Sequence, residues 1–209
     1  MILLIMNILL TGGAGYIGSH TALAFLDAGH EVTIIDNLIT GNKNLIPIKA
    51  NFIEININNS SRIENLLKKE KFDALLHFAG YIQVEESINK PKKYMNNNTR
   101  NSEILFDVCA KNNLTNVIFS STAAVYGNPN NKKPINENNK ITSINPYGES
   151  KILTERYLNK NKKLNHIILR YFNVAGADSK MRSGEISKKS THLIKIASEV
   201  AVGRKEKIT

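Results

Sequence analysis

Thr11-Gly12-Gly13-Ala14-Gly15-Tyr16-Ile17-Gly18 is the stretch that decides the fold. It places glycine at 12, 15 and 18, directly after the apolar run Ile8–Thr11. A segment with helical spacing follows, from about Gly15 to Ala28, and stops at Gly29, a residue suited to a helix C-terminus. A pyrophosphate needs backbone N–H groups and a helix N-terminus close to it, and side chains at those turns block the approach. A glycine pattern alone also fits a tight turn with close helix packing. The context narrows it, because a second strand ends in an acid. That acid is Asp36 in Ile34-Ile35-Asp36-Asn37, eighteen positions after Gly18, near the spacing of about 20 at which a carboxylate accepts hydrogen bonds from ribose hydroxyls. A carboxylate there repels a 2′-phosphate and favours NAD over NADP; the alternative is that Asp36 caps the following turn.

Working outward, short apolar runs alternate with helical segments, the signature of βα units around a parallel sheet. Strands are expected at Ile8–Thr11, Glu31–Asp36, Asn51–Ile55, Ala74–Phe78, Val117–Ser121 and His166–Tyr171, each a continuous apolar run as suits a strand covered on both faces. Ser60 or Ser61 is expected to cap a helix through about Lys69, with Ile63, Leu66 and Leu67 inward. A longer helix spans about Tyr94 to Asn112, with Ile104, Leu105, Val108 and Cys109 on one side. Pro146 opens a helix over Tyr147 to Leu158, and a final amphipathic segment covers Leu193 to Val202. Residues 128–144 and 175–190 read as loops. The expected fold is α/β, a Rossmann-like doubly wound parallel sheet with helices on both faces.

The 209 residues suit one sizeable domain, and 42% hydrophobic with 22% charged residues exclude global disorder and a membrane class. A net charge of +10 invites a nucleic-acid reading. The basic residues are scattered in pairs such as Lys68-Lys69, Lys92-Lys93, Lys132-Lys133, Lys162-Lys163 and Lys188-Lys189, with no interleaved aromatic residues to stack bases, so they read as solvated surface. Cys109 is the sole cysteine and reads as a core residue; nothing argues for an oxidising compartment, and a cytoplasmic location is expected. The apolar opening has no basic start and no cleavage site, and Met6 begins a compact first strand, so Met1–Ile5 are expected to be an extension or a misassigned start. His77 and His192 fit no metal-ligand spacing, so no metal site is expected.

The chemistry-bearing constellation lies further on. Pro146-Tyr147-Gly148-Glu149-Ser150-Lys151 places Tyr147 and Lys151 on one helix face. A tyrosine ionises near pH 10 and serves as a base near neutrality only where positive charge lowers its pKa; Lys151, with a nicotinamide cation, is expected to supply that charge. Val117–Ser121 runs into Thr122-Ala123-Ala124-Val125-Tyr126-Gly127, putting hydroxyls at the carboxyl edge of the sheet, where Thr122 can align a sugar hydroxyl toward Tyr147. The bland reading is a strand-end Ser/Thr cluster bonding nearby backbone.

Together these residues resemble the extended short-chain dehydrogenase/reductases of the NAD-dependent epimerase/dehydratase type, most closely the UDP-glucose 4-epimerase group. The matching pieces are Thr11–His20, Asp36-Asn37-Leu38, His77-Phe78-Ala79-Gly80, Val84-Glu85-Glu86-Ser87, Asn96-Asn97-Asn98, Ser120–Gly127, Tyr147–Lys151 and Leu169–Ala177. The resemblance implies NAD-dependent inversion at C4 of a UDP-sugar through a 4-keto intermediate, with Tyr147, Lys151 and Thr122 as the catalytic set. It implies that Tyr16, Ile17, Asp36, Asn37, Phe78, Ala79, Gly80, Asn97 and Lys151 touch NAD, beside Gly12, Gly15 and Gly18, with Phe172 near the nicotinamide. Asn56-Ile57 stands where the family commonly has Asp-Ile against the adenine. Asn173 would face the substrate diphosphate and His192 and Leu193 the uridine, while Thr122 and Tyr147 meet the sugar. Helices 94–112 and 147–158 would form a homodimer bundle; neither nucleic acid nor membrane is an expected partner.

A nucleotide-sugar 4,6-dehydratase typically follows its active-site hydroxyl with Asp-Glu, whereas Thr122 is followed by Ala123-Ala124, which favours the epimerase. The same resemblance divides the chain into an NAD-binding domain at 1–174 and the start of a substrate-binding region at 175–209, with the C-terminal substrate domain largely missing. NAD binding with weak or no epimerase activity is the expectation for such a chain. A non-catalytic NAD-binding remnant, or one piece of a split gene, is the alternative.

Overall fold

The apolar runs pair as a single parallel sheet. A computed structural model describes residues 4–128, 133–187 and 192–208. The strands are β1 (Asn7–Thr11), β2 (Glu31–Asp36), β3 (Asn51–Glu54), β4 (Ala74–His77), β5 (Asn116–Ser120) and β6 (Asn165–Leu169), ordered β3-β2-β1-β4-β5-β6 with every neighbouring pair parallel. The helices are α1 (Tyr16–Asp27), α2 (Ser60–Lys69), α3 (Val84–Asn89), α4 (Pro91–Tyr94), α5 (Asn101–Lys111), α6 (Pro146–Lys160) and α7 (Leu193–Ala201).

Alternation along the central strands explains why their sequences are apolar throughout. Leu9 joins a cluster with Ile63 of α2, Leu105 and Phe106 of α5 and Leu158 of α6, while Ile8 and Leu10 join a second cluster with Ala22 of α1. Both faces are therefore buried, as in a doubly wound sheet. Cys109 lies in the first cluster, where burial pushes its thiol up to about 12.

Several local expectations change. The edge strand β6 is covered on one face only: Ile168 packs on the first cluster, while Ile167 and Leu169 are exposed. Ile55, Phe78, Ser121 and Tyr171 lie just beyond their strands. The α2 cap is neither Ser60 nor Ser61 but Asn59, whose Oδ1 accepts from the Arg62 N–H at 3.2 Å. The long helix over 94–112 is α4 and α5 joined by a π-helical turn, Met95–Arg100, and α3 precedes it unannounced by the apolar spacing. Residues 1–3 of the suspected Met1–Ile5 extension, the loop residues 129–132 including Lys132, residues 188–191 with Lys188-Lys189, and Thr209 lie outside the described residues. Residues 133–144 and 175–187 form no regular element. Among the described residues no helix is long and apolar enough to cross a membrane, and no group of three or more His, Cys, Asp or Glu side chains could hold a metal.

A polar relay crosses the core beneath the ends of β1 and β4. Ser102 Oγ donates to the Asn98 carbonyl oxygen (2.7 Å) and so accepts from His77 Nε2 (2.8 Å), which leaves Nδ1 to accept from Thr11 Oγ1 (2.6 Å). Thr11 Oγ1 accepts from the Ala79 N–H at 3.3 Å. Burial, followed by the charge of Lys151, drives His77 down to about 3, so it is neutral in the folded protein. The unfolded chain protonates this histidine at its ordinary value of about 6.5. The stabilisation by neutral His77 is complete above that value and is lost as pH falls toward 3. Between pH 7 and pH 5 this linkage removes about 2 kcal/mol of stability. Urea unfolding at the two pH values should show that loss in the wild type and a flatter response in His77→Gln; equal slopes would refute it.

Candidate functional site

From β1 the chain proceeds to β2 and β3 on one side and then crosses to β4, which opens a crevice at the carboxyl ends of β1 and β4. The glycine turn forms its floor. Gly12 has φ +73°, and a Cβ there would stand 2.6 Å from the Ala79 backbone nitrogen; at Gly18 a Cβ would stand 2.2 Å from the Gly12 carbonyl oxygen. The protein's own close packing thus excludes side chains at both positions. Gly15 is the extended N-cap of α1 and provides no side-chain cap. The N–H groups of Tyr16, Ile17 and Gly18 therefore have no partner within the helix, and its positive end meets the crevice.

The crevice is open to solvent on one side. Gly12 and Gly15 line its floor, Asp36, Asn37 and Ile57 one side, and Phe78, Ala79, Gly80 and Asn97 the other. Asp36 is almost fully buried; its Oδ2 accepts from the Ala14 N–H (3.1 Å) and its Oδ1 from the Leu38 N–H (2.8 Å), so it caps a turn and also faces the crevice. Each carboxylate oxygen keeps capacity for a further donor. A Cβ at Gly41 would lie 2.9 Å from Asp36 Oδ1, so glycine leaves room beside that acid. Of the other expected cofactor residues, Tyr16, Ile17, Gly18, Asn56, Lys151 and Phe172 do not line the crevice. Tyr16 instead donates its hydroxyl to the Gly176 carbonyl oxygen (2.6 Å), and Phe172 is 80% exposed. Lys151 Nζ lies just behind the wall, 3.4 Å from where a Gly80 Cβ would stand.

Thr122, Tyr147 and Lys151 are brought together. Asn145 caps α6 by accepting from the Gly148 N–H (2.8 Å), and Pro146 follows at the first helical position. Tyr147 and Thr122 share a side-chain hydrogen bond, while Thr122 Oγ1 also accepts from the Ala124 N–H (3.2 Å). Lys151, 3% exposed, donates to the Ser120 carbonyl oxygen (2.8 Å) with its Nζ 4.9 Å from the centre of the Phe119 ring. Burial lowers Lys151 to about 8, opposed by the charge of Glu155. Burial raises the Tyr147 pKa, and the Thr122 hydrogen bond opposes this. The other expected substrate residues lie apart from the crevice. Asn173 is exposed, Leu193 is 63% exposed, His192 is partly buried, and none lines the crevice.

Residues 8–208 match the NAD dependent epimerase/dehydratase family. The chain belongs to this family. It is 44% identical over 202 residues to the UDP-glucose 4-epimerase of Azospirillum brasilense, covering 95% of this chain and 58% of that protein. The Brucella ovis UDP-glucose 4-epimerase, solved in complex with NAD, is 38% identical with a TM-score of 0.91, over 96% of this chain and 62% of that one. The Bifidobacterium longum enzyme, solved with NAD+ and UDP, is 32% identical with a TM-score of 0.86, over 97% and 64%. The chain thus spans about three fifths of the length of these relatives.

Some residues that shape the crevice of this epimerase/dehydratase family member went unmarked by its motifs. Ile35, Ile39, Thr40, Ile55 and Tyr81 line it, and most are chain neighbours of marked residues, which was the available signal. Asn98 stands in the Asn96-Asn97-Asn98 motif but was given no role there, and its role is the more consequential omission. Its Oδ1 accepts from the Tyr81 N–H (2.8 Å), and its Nδ2 donates to the Tyr81 carbonyl oxygen (2.9 Å) and to Ser150 Oγ (3.2 Å). One buried amide therefore clamps the Gly80–Tyr81 wall and ties it to α6 beside Lys151. Asn98→Ala leaves those groups without their partners and should cost about 2 kcal/mol in urea unfolding. A cost below roughly 0.5 kcal/mol would mean that the clamp carries no weight.

Proposed function

We propose that this chain binds NAD in the crevice and carries the proton-transfer residues for epimerisation at C4 of a UDP-sugar. The observation that carries the reading is the joining of the crevice to the Thr122–Tyr147–Lys151 cluster across the single wall Phe78–Tyr81. The fit to a dinucleotide rests on the chain's own chemistry. The uncapped end of α1 and the bare turn at Gly12 to Gly15 suit a pyrophosphate. Asp36 suits the ribose hydroxyls of an NAD rather than the phosphate of an NADP, and Asn37, Ile57, Phe78, Ala79, Gly80 and Asn97 supply the remaining walls.

In this reading NAD, when bound, supplies hydride acceptance and return together with a positive ring that favours the phenolate of Tyr147. Tyr147 takes the proton from the sugar's 4-hydroxyl and gives it back on the other face. Thr122 orients that hydroxyl, and Lys151 holds the ribose side of the site while keeping positive charge near Tyr147. Within that scheme residues 1–174 form the NAD-binding part and 175–209 the start of the substrate side, which rests on α1 through Tyr16–Gly176, a Ser19–Ser183 hydrogen bond (2.7 Å) and the ion pair of Asp27 with Arg182 (2.8 Å). Pairing through α5 and α6 to make a homodimer belongs to the same proposal.

A second reading, NAD binding without turnover, is favoured by one observation: Phe172, Asn173 and Leu193 are exposed outside the crevice. Interconversion of UDP-glucose and UDP-galactose, assayed with NAD on the chain and on Tyr147→Phe, separates the two readings. Turnover lost in the variant supports the epimerase; NAD binding with no turnover in either supports the second. Titration calorimetry should show NAD bound at least about tenfold more tightly than NADP, because the Asp36 carboxylate and a 2′-phosphate repel. Equal affinities would contradict the role given to Asp36.

A further inference from the structure

Glu155 is the buried acid for which the proposed chemistry has no use. It lies one helical turn beyond Lys151 on α6 and is 2% exposed. Arg170, just past β6, holds it through both carboxylate oxygens: Nε donates at 3.0 and 3.2 Å and Nη2 at 2.6 Å. Ser121 Oγ donates to Oε1, and Arg170 Nη1 donates to the Tyr126 hydroxyl at 2.9 Å. A buried ion pair of this kind is often no more stable than an apolar replacement of the same volume, so stability alone gives little reason for it.

Its placement supplies one. Ser121 stands between Ser120, whose carbonyl oxygen takes the Lys151 ammonium, and Thr122, which bonds Tyr147. We infer that Glu155, held in place by Arg170, is a positioning residue that serves as the counter-charge of Lys151 and fixes the Ser120–Thr122 turn against α6. The inference rests on the reading of Lys151 as a working residue of the site and adds a residue that no motif marks. Burial disfavours the charged form of Lys151, and the Glu155 carboxylate opposes that. The groups around Lys151 are Glu155, one turn on along α6, His77 from β4, and the Ser120 carbonyl and Phe119 ring from β5; Tyr147 stands one turn back on α6, and beyond β6 Tyr171 bonds Ser120 and Arg170 bonds Glu155. Glu155 alone among these brings negative charge at neutral pH, since His77 is held neutral and Tyr147 and Tyr171 are both raised.

The test is the titration of Lys151 itself in the full chain labelled with 13Cε-lysine, its resonance assigned by its loss in Lys151→Arg. In the wild type Lys151 should titrate near pH 8. In Glu155→Gln its acid-dissociation constant should rise roughly tenfold or more, and Glu155→Asp should restore most of the wild-type value. Should Glu155→Gln fail to fold around an unpaired Arg170, the double variant Glu155→Met/Arg170→Met removes both charges and should show the same direction of change. A Lys151 titration unchanged in whichever of these folds would overturn the inference. Absence of NAD binding or of turnover in every protein, wild type included, would instead count against the functional reading and leave the coupling of Glu155 to Lys151 intact.

Discussion

The approach of Gly12 to Ala79 is the constraint on which the rest of this molecule depends. Parallel strands β1 and β4 meet at the point where the sheet changes direction, and the turn leaving β1 lies so close to the end of β4 that a Cβ at position 12 would be 2.6 Å from backbone. That contact sets the width of the crevice. It also sets where α1 begins, since Gly18 must pass the Gly12 carbonyl with no side chain of its own. The uncapped helix end and the acid of β2 face one opening because both follow from this packing.

Polar groups inside the sheet's edge keep the opening in shape. The Ala79 N–H is bonded to Thr11, Thr11 to His77, His77 to Ser102, and Ser102 to the backbone of Asn98. The Asn98 side chain then returns to Tyr81, two residues along the wall from Ala79. A network of this type stabilises only when every member is satisfied, and here each named atom has a partner. Within the π-helical turn Asn97 lines the crevice while its neighbour Asn98 is buried. Extra residues in a helical turn recur at functional sites.

How much of this was legible in the sequence depended on how local each cause is. The central strands were legible because burial on both faces demands unbroken apolar runs, and Asp36 because strand and turn fix its place. Ile167-Ile168-Leu169 reads the same way, yet two of its three residues are exposed, since coverage by a helix is decided by the rest of the fold. Tyr147 and Lys151 were marked by their spacing; the upward push on the Tyr147 pKa was not, because it comes from burial, which the packing around α6 decides. The roles of Asn98, which a motif marks, and of Glu155, which none does, were illegible for a related reason. Their partners at Tyr81, Ser150, Ser121 and Arg170 lie 17, 52, 34 and 15 positions away, and nothing in a linear pattern pairs them.

The central claim is that the crevice beside Gly12 holds NAD in this chain. Amide chemical-shift mapping of the 15N-labelled protein with added NAD tests it most directly. Saturable shifts concentrated at Gly12, Gly15, Asn37, Gly80 and Asn97 are the predicted result. A flat titration at millimolar NAD, or shifts confined to surfaces away from the ends of β1 and β4, would contradict the account.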